Sequence, residues 1–353
     1  MLARLVIVSG NLPAAPAVRS FATSSLRSAR FGGGPNFTQQ GFKIRTQTGP
    51  TLRERLLGPT TGKPFIYGTY AIAGASVFGI GMLGWYGLGM SKAPSAMDRA
   101  SLWPEYVRKR LQHTYAYLGG SLAITSAAAL AASRSPAILQ FMSAGGLLMF
   151  IGSMAAIIGT GMLVRSIDYH RSPLAKHGAW LLHSGIMGAV LAPLCLAGGP
   201  VLIRAAWYTA ALCAGLTATA LCAPSEKFLM MAGPLSMGLG VVFAANIGSF
   251  FFPPHTALGA SLASVVVYGG LILFSGFLLF QTQLLIRQAE LQPSAGAQQT
   301  FYNQYGEPVQ TVQVGGFDPI SAQLGIYMTI LNLFIRMVMI AGGGGNRRND
   351  PKK

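Results

Sequence analysis

Acidic side chains are nearly missing from this chain. Its 353 residues carry nine Asp and Glu against 26 Lys and Arg, a formal charge of +17, and none of the nine acids lies in the middle of an apolar run. A carrier that binds protons or calcium inside a bilayer ordinarily offers them a carboxylate at that depth. Charge of either sign is scarce as well, at 10% of residues, where a soluble globular domain has about 25%. With 51% of residues apolar, the side chains are those of a protein whose exterior faces lipid. The three cysteines, Cys195, Cys213 and Cys222, fall in hydrophobic stretches without a CxxC pair or a histidine at ligand spacing, which excludes a disulfide framework and a zinc site. No RNA- or DNA-binding motif accompanies the positive charge, so no nucleic-acid partner is expected; the basic residues lie in the leader, the loops and the tail. No Ser-His-Asp or Cys-His arrangement stands out, and Gly342–Gly345 lacks the Lys-Ser/Thr of a phosphate loop. The expectation is a protein that is not an enzyme and needs no cofactor.

What is present begins with a basic leader. The first acid is Glu54, and before it stand Arg4, Arg19, Arg27, Arg30, Lys43, Arg45 and Arg53 among many Ser, Thr, Gly and Ala. An arginine- and serine-rich, acid-free start is the composition of a mitochondrial transit peptide, drawn inward by the membrane potential. Residues 1–31 are read as that peptide, and Arg19-Ser20-Phe21 resembles the arginine-plus-aromatic site cut by matrix processing peptidases. Residues 32–64 form a basic linker rich in Gly, Pro and Thr. Residues 65–90 make a first spanning helix, whose Ala71, Ala75 and Gly79 recur every four residues as one smooth packing face. The stretch from Ser91 to Arg110 is too charged to span and reads as a polar loop, with Trp103 and Tyr106 suited to an interfacial helix.

Further apolar runs follow at Thr114–Ala132, Ile138–Val164, Gly178–Gly198, Val201–Cys222, Leu229–Phe252, Ala257–Phe280 and Ile320–Ala341. Each is near the ~20 residues needed to cross a hydrocarbon core. Proline and charge separate them, as at Arg171-Ser172-Pro173 and Pro253-Pro254-His255. From Gln281 to Gly316 the composition turns to Gln, Gly, Pro and Asn, which reads as a solvent loop. Asp318-Pro319 reads as an N-cap followed by proline at the first helical position. The fold class is therefore an all-α membrane protein, with its bundle over residues 114–341 and a basic tail over 342–353.

The polar groups inside these runs are mostly neutral. His183 could shuttle protons or be a neutral histidine bonded to a neighbouring helix, the blander reading. Asn246 and Asn332 read as interhelical hydrogen-bond partners. Thr329, Asn332 and Arg336 are spaced i, i+3 and i+7 and share one helix face, and Arg336 is the intramembrane charge. Arg165 ends an apolar run, where it snorkels to the interface or anchors an internal carboxylate.

Several blocks carry a family resemblance. Leu163-Val164-Arg165-Ser166, His183-Ser184-Gly185-Ile186-Met187-Gly188-Ala189-Val190, Leu202-Ile203-Arg204-Ala205-Ala206-Trp207-Tyr208-Thr209, Cys222-Ala223-Pro224-Ser225-Glu226-Lys227-Phe228-Leu229, Asp318-Pro319-Ile320 and the ending Gly343-Gly344-Gly345-Asn346-Arg347 resemble the mitochondrial branch of the Bax-inhibitor-motif family. The resemblance runs over roughly residues 65 to 348, leaving out the leader and the loop from Gln292 to Val314. It implies a Bax-inhibitor-like seven-helix bundle with one extra N-terminal transmembrane helix, held in the mitochondrial inner membrane. It also implies cristae maintenance, restraint of apoptotic cytochrome c release, and cation leak or calcium/proton exchange. Implied partners are the lipid bilayer, cytochrome c, inner-membrane scaffold or protease proteins, and calcium and protons if it transports. In members that conduct calcium, two aspartates on the last two helices form a pH-sensitive pair, locked by an arginine from an earlier helix. The arginine matches Arg165, but the aspartate positions hold Gln281 and Thr329. Two close carboxylates share a proton; Gln and Thr have none to share.

Overall fold

A computed structural model describes residues 103–143, 146–224, 227–292, 298–302, 308–313 and 316–343, with scattered positions before Trp103. The transit peptide (1–31), linker (32–64) and most of the N-terminal helix (65–90) and tail (342–353) lie outside the described residues. Within 65–90 the described positions Tyr70, Gly74, Val77, Gly81 and Trp85 are helical.

The described chain runs α1 (Glu105–Ser133), α2 (Pro136–Ser143), α3 (Leu147–Ser166), α4 (Pro173–Leu191), α5 (Gly199–Cys222), α6 (Ala232–Phe251), α7 (Ala257–Ser264), α8 (Gly270–Leu291), a hairpin of β1 (Gln298–Tyr302) and β2 (Pro308–Gln313), and α9 (Pro319–Gly343). Among the described residues, seven helical segments are long and apolar enough to cross a membrane. The protein is an all-α membrane protein, and the short antiparallel hairpin, with Gln298 opposite Gln313, is its exception.

α9 is the axis of the bundle. It packs on α8, α5 and α1 and buries Ile320, Leu324, Ile326, Tyr327, Leu331, Leu333 and Val338. Asp318 opens it as its spacing predicts: Oδ1 accepts from the amides of Ile320 at 3.0 Å and Ser321 at 3.1 Å, two of the donors a helix start leaves free. α1 and α4 approach more closely than side chains would ordinarily allow. A Cβ on Gly188 would sit 2.5 Å from the Ala128 Cβ and 2.6 Å from the Thr125 carbonyl, so glycine is required there. The same seam is stitched by polar groups. Thr125 Oγ1 donates to the Ser184 carbonyl at 3.2 Å and bonds the Tyr327 hydroxyl at 2.5 Å, and Trp180 Nε1 donates to Ser121 Oγ at 2.7 Å. Elsewhere hydroxyls at Thr114, Thr209, Thr219 and Thr282 bond the carbonyl four residues back, satisfying themselves without water.

Three boundaries differ from the sequence reading. The single run Ile138–Val164 is two helices: α2 stops at Ser143, and Gly146, at φ 95°, stands outside helical geometry as the residue that precedes α3. Residues Gln281–Leu291, read as loop, continue α8. The polar stretch to Arg110 also ends in helix, since α1 starts at Glu105. The last two share a cause. Arg110 Nη1 donates to the carbonyls of Ala289 and Gln292, both at 2.8 Å, capping the end of α8. Trp103 Nε1 donates to Glu290 Oε1 at 2.8 Å. Polar side chains that looked solvated are partners across the α1–α8 contact. Preceding α8, the chain turns through a π-helical Val265–Gly269, so residues 257–291 form one continuous span.

Candidate functional site

Gln281 on α8 and Thr329 on α9 face one another: Thr329 Oγ1 donates to Gln281 Oε1 at 2.8 Å. Thr329 is buried and Gln281 half-buried. Gly325, one turn before Thr329, makes room, since a Cβ there would lie 3.2 Å from Gln281 Nε2. This contact is a neutral donor meeting a neutral acceptor. It holds two helices together and has no proton that leaves near neutral pH.

The pair opens onto a cavity of about 500 Å³ bounded by α3, α4, α6, α8 and α9. Its polar lining includes Arg165, Asn246, Gln281, Thr329, Asn332 and Arg336, and its wall is otherwise mostly Met, Phe, Leu, Ile and Val. The structure thus gathers six of the seven sequence candidates around one space, and it holds no acid in the lining. The arginines mark its two ends. Gln281 lies beside Gly325, and Arg336 beside Gly270. At ~1.5 Å per residue, the 11 residues from Gly325 to Arg336 span about 16 Å.

Arg165 sits at the near end, in the last turn of α3, where a cation complements the helix dipole. It is exposed. Arg336 is 5% exposed. Its Nη1 donates to the Asn332 carbonyl at 2.8 Å and to Asn332 Oδ1 at 3.1 Å, and the guanidinium lies 4.4 Å over the Phe274 ring. Nε is buried with no partner. Only glycine at position 270 leaves the guanidinium its place. Asn246 also faces the cavity, and its Oδ1 is unpartnered.

His183 is the candidate that stays apart. Its Nδ1 bonds Thr160 Oγ1 at 2.8 Å, and because that hydroxyl can donate to the Ala156 carbonyl at 2.7 Å, the imidazole fits as the Nδ1–H tautomer. Nε2 is buried without a partner, and the ring packs edge-on against Tyr327 at 6.0 Å. The imidazole thus ties α3 to α4.

Lys176 is a site residue that the sequence does not single out. It is fully buried and its Nζ is surrounded by oxygen: the carbonyls of Val164 at 2.5 Å and Ile167 at 2.9 Å, Ser321 Oγ at 2.8 Å, and Asp318 Oδ2 at 2.5 Å. One ammonium therefore joins the end of α3, the start of α4 and the start of α9. Three residues past a helix-opening proline, it looks in sequence like an interfacial lysine; the available signal was the chain's scarcity of acids, which makes Asp318 a partner worth seeking. Gln283 is likewise structural, accepting from the Phe228 amide at 2.9 Å and donating to the Pro224 carbonyl at 2.8 Å. In the loop after α3, Asp168 accepts from the amides of Arg171 and His170, both at 2.8 Å, and these bonds hold its carboxyl below the usual carboxylate range. No group of three or more potential metal ligands occurs among the described residues.

Comparison with known proteins agrees with this architecture. The family model described as "Inhibitor of apoptosis-promoting Bax1" matches residues 107–347. The growth hormone-inducible transmembrane protein of Rattus norvegicus is 48% identical over 312 residues, covering 87% of this chain and 85% of its own. Bax inhibitor 1 of Homo sapiens is 28% identical over 187 residues, covering 52% of this chain and 73% of its own. An uncharacterized membrane protein of Vibrio cholerae is 26% identical over 247 residues, covering 66% and 89%. No solved structure matches the chain.

Proposed function

The chain belongs to the Bax inhibitor family, and we propose that it is a multi-pass structural and interaction protein of the mitochondrial inner membrane. In this reading it maintains cristae organisation and limits apoptotic cytochrome c release, meeting cytochrome c and inner-membrane scaffold or protease proteins from within the bilayer. The observation that carries it is the Thr329–Gln281 hydrogen bond. It closes the α8–α9 contact with groups that stay neutral at every physiological pH, so a change of pH does not recharge this contact. The acid-free leader supports the mitochondrial location.

The second reading is a calcium/proton exchanger or cation leak, favoured by the central cavity. Its charge argues against it. A divalent cation about 8 Å from a single guanidinium meets a repulsion of roughly 4 kcal/mol at an effective dielectric of about 20. The lining has two arginines and no acid to offset that repulsion.

Calcium flux into dye-loaded vesicles holding the purified protein separates the two readings. The unaltered protein should stay near background from mildly acidic to mildly alkaline pH, and Gln281→Asp with Thr329→Asp should raise flux and make it pH-sensitive. Robust pH-gated flux from the unaltered protein sinks the reading. Removing the protein from cells should widen cristae and hasten cytochrome c release; unchanged cristae would count equally against it.

A further inference from the structure

Arg336 is a cation without an anion. It is 5% exposed on a membrane-depth helix, and no carboxylate among the described residues pairs with it. Guanidinium does not shed its proton in proteins, and a charge taken out of water is costly until a counter-charge joins it. Its protein partners are Asn332 and the Phe274 face, which lessen that cost without cancelling the charge. Lys176 makes the contrast, with an acid and three further oxygens around it.

We propose that the Arg336 end of the cavity binds the phosphate headgroup of an anionic phospholipid, with an acyl chain lying along the apolar wall toward Gln281. Charge complementarity selects the headgroup: Nη1 is taken by Asn332 and Nε lies against Gly270, so Arg336 offers a phosphate oxygen its charge and the Nη2 donors. Asn246, whose unpartnered Oδ1 can only accept, is a second polar group at the cavity wall and suits a glycerol hydroxyl of the headgroup. The remaining lining selects the tail. Met149, Ile157, Leu239, Phe243 and Phe277 face the space, and free inorganic phosphate would leave this apolar volume unfilled. α3 and α6 flank the cavity and present apolar side chains outward, including Ile151, Met162, Met237 and Val241, so a lipid reaches it from the bilayer without crossing a polar surface.

Native mass spectrometry of the full chain released from mixed vesicles of phosphatidylglycerol and phosphatidylcholine tests this. One phosphatidylglycerol per chain should survive release, and phosphatidylcholine should not. Arg336→Gln should lower retention about tenfold or more, as expected for loss of a charge-assisted contact, while Arg336→Lys keeps part of it. Arg134→Gln, an exposed arginine at the end of α1, removes the same charge from the surface and should leave retention unchanged. Ser153→Trp keeps Arg336 but fills the cavity that Ser153 lines; it should also lose the lipid, and it serves if Arg336→Gln does not fold. Equal retention in Arg336→Gln or Ser153→Trp, equal loss in Arg134→Gln, or displacement by equimolar inorganic phosphate would overturn the proposal.

Discussion

Lys176 and Arg336 are both buried cations of the same bundle, one meeting the start of α9 and the other near its end. Lys176 is enclosed by an acid, a hydroxyl and two carbonyls. Arg336 has a neighbouring amide, an aromatic face and an open cavity. The difference separates a charge used for assembly from a charge left for something else. A buried pair is worth little against an apolar replacement, but breaking it by removing one partner is severe. An unpaired buried charge has the opposite signature: deleting it costs little.

The largest effect should come from breaking the pair. Lys176→Met should cost about 3–5 kcal/mol in unfolding measured in detergent, because it leaves Asp318 and two carbonyls without their donor. Adding Asp318→Asn should restore part of the loss, since Asn still caps α9. A single-variant loss below about 1 kcal/mol would show that the junction is not holding the helices. Gly188→Ala supplies a purely steric disturbance of the same helix, α4. Its Cβ meets Ala128 and Thr125 in place, and overpacking of this kind costs roughly 1–3 kcal/mol. If it matches Lys176→Met, the electrostatic account of the junction loses its distinctness.

Arg336→Met should move stability by about 1 kcal/mol or less, the direct counterpart of Lys176→Met. A loss as large as that at Lys176 would erase the contrast. The smallest effect belongs to Asp168, exposed in the loop beside the Lys176 junction. Its carboxyl is depressed in the folded protein, so its contribution is present above the ordinary carboxylate pKa near 4 and fades as pH falls through the lower folded value. Asp168→Ala should therefore unfold slightly earlier than the parent at neutral pH and coincide with it in strong acid.

The spans were legible because each apolar run is long and punctuated by proline or charge, and Asp318-Pro319 was legible because capping is a local property. Thr329, Asn332 and Arg336 reach one cavity as their shared helix face requires. Gln281 opposite Thr329 followed from the family resemblance. What escaped depended on distant partners. Gln281, Gln283 and Glu290 read as loop because their polarity is satisfied across helix contacts rather than by water. Lys176 read as unremarkable because its four oxygen partners come from residues 164, 167, 318 and 321. Gly146 looked like one glycine among 45, and what distinguishes it is a φ of 95°, a property it shares with Gly198.

The Lys176 junction has a mechanical consequence for α3. Val164 is the one residue of that helix that is buried, and its carbonyl is gripped by the ammonium together with that of Ile167 just beyond the helix. The helix is thus bolted at its C-terminal end. Toward its start it meets α6 through aromatic rings, Phe150 lying 6.3 Å from Phe243 and 5.3 Å from Phe250. With the Thr160–His183 bond, that grip anchors the C-terminal half of α3 to α4 and leaves its N-terminal half, resting on aromatic rings, as the wall of the cavity beside Arg336.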